Sequence, residues 1–236
     1  MRTQNPIDTV FFDLDGTLVF YEPDISDVIS VFCTGIGQPL SAEAERHGRR
    51  TRHEYFIDPI IRDQLAGLSD EEFWYHFNRH LLEALSIKGD LDHLAAQLTR
   101  KYQGLETSYL CPQSGHQTLT ELGARGYRLG LITNRNSAER LTGLLDQLNL
   151  RSYFDLVLAS GEVGVQKPDP GIFAAALERL DAVAGSSVYV GDNYWADVVG
   201  AQRAGLTPVL LDPYHLFPEA DCQILERLES LLDWLP

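Results

Sequence analysis

The chain has 236 residues, 44% of them apolar, enough to bury a sizeable core in one large domain or one domain with an insertion. Its formal net charge of −15 argues against nucleic acid and against an anionic membrane surface, because both are bound through clustered Lys and Arg. A small anionic substrate stays compatible, provided the site concentrates positive charge locally.

Cys33, Cys111 and Cys222 are far apart and form neither a Cys-x-x-Cys pair nor an even disulfide framework, so a reducing, cytoplasmic compartment is expected. Asp8, Asp13 and Asp15 interrupt any apolar leader, and no stretch has the length of a membrane-spanning helix.

In chain order, Val10-Phe11-Phe12 reads as the end of a buried strand, rich in β-branched and aromatic residues. Asp13-Leu14-Asp15-Gly16-Thr17 follows, and in extended backbone the two carboxylates point to one side. Such a pair repels itself unless a cation lies between the groups or one keeps a proton. Mg²⁺, a hard ion held by carboxylates alongside phosphate oxygens, suits that position; a plain turn built on Asp and Gly is the alternative.

Residues 20–106 carry helical patterning only. Helices are expected from Asp24 to Phe32, from Ser41, from Ser69 and from Asp90 to Tyr102. Ser69 and Glu72 have capping-box spacing, and Phe73, Trp74, Phe77, Leu81, Leu82 and Leu85 form an apolar stripe. Arg46, Arg49, Arg50 and His53 share one helical face in this acidic chain. They either reach a carboxylate or second phosphate of a substrate, or pair with neighbouring acids of the insertion.

From about Tyr109 helices alternate with short apolar strands: strands at Arg128–Ile132, Asp155–Ala159, Ser187–Val190 and Thr207–Leu211, and a terminal amphipathic helix over Glu219–Trp234. This predicts an α/β fold, a Rossmann-like parallel sheet covered by helices on both faces, with an inserted all-helical cap. The predicted domains are a core of residues 1–19 and 107–236 and a cap of residues 20–106. The cap leaves the chain just after the two aspartates, where a mobile lid would sit.

Ligands of open parallel sheets bind beyond the carboxyl ends of the strands, and the unusual residues of this chain fall there. The first strand runs into Asp13 and Asp15, a second into Thr133-Asn134-Arg135-Asn136, and another into Gly191-Asp192-Asn193 with Asp197 beyond. Gln166-Lys167-Pro168-Asp169-Pro170 precedes a helix. Arg135 and Asn136 are candidates to line the entrance, and Trp195 either shields the site or packs.

The segments Asp13–Thr17, Leu131–Asn134, Val165–Pro170 and Val190–Asn193 through Asp197 together resemble the four motifs of the haloacid dehalogenase superfamily of aspartate-nucleophile phosphohydrolases. The resemblance covers the core and is silent on the cap. It implies Asp13 as nucleophile, forming an aspartyl-phosphate, and Asp15 as the acid/base that protonates the leaving alcohol and then activates water. Mg²⁺ would be held by Asp13, the Asp15 carbonyl and Asp192; Thr133, Asn134 and Lys167 would bind the phosphate.

Asp197 would orient Lys167 or a metal-bound water, unless it is only an acid at a helix start. The implied activity is Mg²⁺-dependent hydrolysis of a small phosphorylated metabolite. A phosphomutase with the same nucleophile, and a non-catalytic binding module on this fold, are the competing readings. Dehalogenation is disfavoured because Asp15 is an acid/base that reaction does not use.

Overall fold

The computed structural model describes residues 6–55, 57–58, 61 and 67–236. The chain divides into two compact units, Met1–Phe20 with Tyr109–Pro236, and Tyr21–Ser108.

In the first unit Thr9–Phe12 (β1), Arg128–Thr133 (β4), Leu156–Ala159 (β5), Ser187–Gly191 (β6), Thr207–Leu211 (β7) and Gln223–Leu225 (β8) form a sheet in the order β5-β4-β1-β6-β7-β8. Every neighbouring pair in it is parallel. Two short strands, Phe20–Glu22 (β2) and Ser108–Leu110 (β3), form a separate two-stranded sheet. β2 was not expected, since residues 20–106 carry only helical patterning.

The four residues of β1 are fully buried, and alternate side chains feed opposite cores. Val10 and Phe12 pack in a cluster with Leu119 and Leu122 of Gln113–Ala124 and with Leu141, Leu144 and Leu145 of Ala138–Gln147. Phe11 points the other way, into a cluster with Ile172, Phe173 and Ala176 of Pro170–Arg179. A continuously apolar strand is thus required by helices on both faces, at about 1.5–3 kcal/mol for each fully buried large side chain. Phe11 sits opposite Gly130 of β4, where a Cβ would run into the Phe11 ring, so the ring takes the space a side chain would fill.

The expected terminal helix over Glu219–Trp234 is not what forms. Gln223–Leu225 adds to the sheet edge as β8, and Leu228–Ser230 and Leu231–Trp234 are single helical turns. Leu225, Leu228 and Leu231 are spaced by three, which mimics a helical stripe. They bury in the sheet's own core, however, and β7 supplies a partner for the backbone of β8. The open edge of β7 overrides the local period.

The second unit is helical: Ile25–Gly35 (α1), Ala42–Tyr55 (α2), Asp70–Ala84 (α3) and Leu91–Gln103 (α4). The Asp24 carboxylate caps α1 by accepting from Ser26 N at 2.6 Å, and Ser69 and Glu72 close a capping box on α3. Phe77, Leu81 and Leu82 of α3 pack with Tyr55, Ala95 and Leu98 in one core.

Part of the basic run of α2 pairs within this unit. Arg49 pairs with Asp24 at 3.3 Å and Asp27 at 3.6 Å, Arg50 with Glu54 at 3.2 Å, and Arg52 reaches Ser26 Oγ at 3.4 Å. His53 turns inward and is buried, while Arg46 stays exposed. Of the two readings of this run, pairing with neighbouring acids accounts for Arg49 and Arg50.

Burial, and then the charges of Arg52 and Arg49, push the His53 imidazole down from 6.5 to about 3. The folded unit holds it neutral, whereas an unfolded chain protonates it below its ordinary value. Its contribution to stability is therefore complete above that value and is lost as pH falls toward the folded one. Melting followed by circular dichroism from about pH 7 to about pH 4 should show His53→Gln losing acid-sensitive stability on the order of a few kcal/mol. An unchanged slope of melting temperature against pH would remove the assignment.

Candidate active site

The carboxyl end of β1 lies at the centre of the sheet, between β4 and β6, where the chain order reverses. Asp13 prolongs β1 by one rung, its N–H donating to the Val190 carbonyl at 2.9 Å. The backbone then turns on Gly16, at φ +86°, where a Cβ would collide with the Asp192 carboxylate. Glycine is needed there twice, for the left-handed turn and for the approach of Asp192 from the end of β6.

Lys167 is the hub. Its side chain is 3% exposed, and Nζ donates to Asp13 Oδ1 at 2.6 Å, Asp197 Oδ1 at 2.7 Å and Tyr189 Oη at 2.8 Å. All three ammonium hydrogens are engaged. Tyr189 passes its own hydrogen to the Ile132 carbonyl at 3.1 Å. The other Asp197 oxygen accepts from Asn193 N at 2.9 Å, and Gly191 has no Cβ where that carboxylate passes.

The Lys167 backbone is fixed separately. The Asn134 side chain accepts from Lys167 N at 2.8 Å and donates to Lys167 O at 3.0 Å. Asn134 follows Thr133, the buried last residue of β4, so the strand end and the Lys167 loop are clamped together. The side chain of Asn134 is spent on this clamp.

Charge and burial act against each other at the hub. Burial raises the Asp13 carboxyl to about 7; the Lys167 charge opposes this, and Asp197 and Asp15 add to it. Burial lowers the Lys167 ammonium, but Asp13 and Asp197 outweigh that, and its net shift is upward. Lys167 therefore stays charged while holding two carboxylates. Burial and the nearby aspartates also raise the Tyr189 phenol, which stays protonated as a donor.

Asp13, Asp192 and Asp197 each offer a carboxylate oxygen, and these oxygens lie within 4.8 Å of one another. With Asp15, four carboxylates share this strand end with the two cations Lys167 and Arg135. The excess of negative charge and the all-oxygen donor set fit a hard divalent cation. Asp197 already gives one oxygen to Lys167 and the other to Asn193 N.

Asp15 does not rest against Asp13 as a bare carboxylate. Its Oδ2 accepts from Arg135 Nε at 2.9 Å and its Oδ1 from Arg135 Nη2 at 2.6 Å, a two-pronged ion pair. The sequence marked Arg135 only as an entrance residue and did not single out Tyr189. A basic residue directly after Thr133-Asn134 was the signal for the first. Tyr189 had none, since an aromatic residue inside an apolar strand reads as core. Trp195 is 38% exposed and meets the Tyr194 ring edge to face, with centroids 5.0 Å apart.

Residues 7–205 match the family model described as haloacid dehalogenase-like hydrolase. Over 212 residues the chain is 34% identical to a ribulose-1,5-bisphosphate 5-phosphatase from Halopiger xanaduensis, covering 86% of this chain and 84% of that protein. It is 29% identical to a glyceraldehyde 3-phosphate phosphatase from Pyrococcus furiosus, covering 98% of this chain and 90% of the other. Among solved structures, a HAD-type hydrolase from Bacillus subtilis described as bound to magnesium superposes with a TM-score of 0.60 at 18% identity, covering 98% of this chain and 99% of that one. The parallel sheet, its inserted helical unit and a family match running from before β1 to beyond Asp197 lead to one conclusion: the chain belongs to the haloacid dehalogenase-like hydrolases.

Proposed function

We propose that the protein is a Mg²⁺-dependent phosphatase that hydrolyses a small phosphorylated metabolite through an aspartyl-phosphate on Asp13. The observation that carries this reading is the Lys167 hub, in which a buried ammonium fixes one oxygen of Asp13 beside Asp192 at the end of the central strand. The relatives named as phosphatases of ribulose-1,5-bisphosphate and glyceraldehyde 3-phosphate support the substrate class.

A phosphate monoester and an attacking carboxylate are both anionic, so the reaction needs fixed positive charge more than covalent help. Lys167 supplies part of it. With its three hydrogens already engaged, it acts through its charge and through holding Asp13, not through a spare N–H. Mg²⁺, held by the Asp13 carboxylate, the Asp15 carbonyl and Asp192, would neutralise the remaining repulsion between nucleophile and phosphate.

Asp13 displaces the alcohol from phosphorus, and the P–O bond to the alcohol breaks as the Asp13–phosphorus bond forms. Asp15, which takes up a proton from solvent on leaving Arg135, gives that proton to the departing oxygen, then takes one from the water that attacks phosphorus and frees Asp13 with inorganic phosphate. The Thr133 hydroxyl and the Asn134 backbone N–H donate to phosphate oxygens, the Asn134 side chain being committed to Lys167. Asp197 is a positioning residue that acts through Lys167.

Hydrolysis of an aryl phosphate should require added Mg²⁺, stop with chelator and release phosphate in proportion to alcohol. A phosphomutase would release no free phosphate. Asp13→Asn should lower turnover by roughly three orders of magnitude or more while leaving the circular dichroism spectrum unchanged. Undiminished turnover in that variant would rule Asp13 out as nucleophile.

Lys167→Met strands two carboxylates in a buried site and should cost about 3–5 kcal/mol of stability in chemical denaturation. Adding Asp197→Asn should cost less than the sum of the two single changes, because the second removes a charge the first left unpaired. Strict additivity would mean that Asp197 does not act through Lys167.

A further inference from the structure

We propose that Arg135 is a latch on Asp15 that a second anionic group of the substrate releases, so that the enzyme selects phosphate monoesters carrying a carboxylate or a second phosphate. The proposal rests on the phosphatase reading above and adds to it the class of leaving group.

The latch is built into the core unit. The Arg135 carbonyl accepts from Ser160 Oγ at 3.2 Å and from Gly161 N at 3.3 Å. Gly161 has no side chain where the Asn136 carbonyl passes, and Asn134 is clamped to Lys167. The guanidinium thus projects from a fixed backbone, with its Cζ 5.1 Å from the centre of the Tyr109 ring. Its Nε and Nη2 take one oxygen of Asp15 each. Arg135 and Asp15 are 22% and 34% exposed, so a ligand arriving from solvent can reach both.

That geometry conflicts with the work assigned to Asp15. To act on a leaving oxygen, and then on water, Asp15 must turn an oxygen toward phosphorus, and both oxygens face the guanidinium. The planar fork of Arg135 matches any carboxylate or phosphate equally well. A substrate with a second oxyanion beside its leaving oxygen replaces Asp15 on the fork, an exchange of one charged pair for another. A substrate with a neutral tail must break the pair with nothing in return. Specificity then comes from the cost of an unreplaced pair rather than from a dedicated tail pocket.

The test compares kcat/KM of the Mg²⁺-loaded protein for matched esters: phosphoglycolate against its uncharged amide, and the bisphosphate of a three-carbon diol against its monophosphate. Wild type should favour the anionic member by about 10-fold or more in at least one pair, and the favoured pair identifies carboxylate or phosphate as the natural tail. Arg135→Gln should bring that ratio near unity, by raising kcat for the neutral ester and raising KM for the anionic one. Arg135→Lys keeps the charge without the fork and should restore only part of the preference.

A wild-type ratio near unity in both pairs would overturn the proposal. So would a ratio preserved in Arg135→Gln with both esters slowed equally. Absence of phosphate release from every ester would instead overturn the phosphatase reading itself, and this proposal with it.

Discussion

A buried ammonium holding two carboxylates is the constraint on which the rest of the catalytic core depends. Each charge alone would be strongly disfavoured in the apolar interior; together, with Tyr189 as third partner, they are satisfied. The surrounding structure serves that arrangement. Gly191 makes room for Asp197, Gly16 makes room for Asp192, and the Asn134 amide fixes the Lys167 backbone. Asp13, Lys167 and Asp197 come from sequence positions far apart, so the hub exists only when the sheet is assembled.

The sheet performs that assembly through register. Phe12 of β1 lies beside Leu131 of β4 and Val190 of β6, which brings the ends of the three strands to one level. Asp13 is the next residue along β1, and Thr133 and Asp192 lie two residues beyond Leu131 and Val190. Because alternate residues of β1 anchor opposite cores, a slip by one residue would bring Asp13 into the apolar layer that Phe12 fills and turn Phe12 into the core built around Phe11. The apolar packing of the strand therefore also fixes the position of Asp13.

Charge is spent differently in the two units. In the helical unit Arg49 of α2 is taken up by Asp24 and Asp27, and Arg50 by Glu54. In the core, Lys167 and Arg135 face the carboxylates of the candidate site itself. A chain with a net charge of −15 can serve an anionic substrate on this basis, since what matters is where its few cations are held.

The sequence by itself determined the parallel α/β core, the helical insertion and the residues gathered at the strand ends, because these are written as local signals. Such signals include apolar runs ending in polar residues, a capping box at Ser69 and Glu72, and glycines where the chain turns. It misjudged the C-terminal segment, where leucines spaced by three fit a helix until the open edge of β7 offers a strand partner. It also left open whether the basic run of α2 serves a ligand or its own acids. Only the tertiary structure decided that Asn134 spends its side chain on the Lys167 backbone, that Tyr189 completes the ammonium's partners, and that Arg135 grips Asp15. Each of these is a pairing between distant positions, and no local period or spacing encodes which donor will meet which acceptor once the sheet closes.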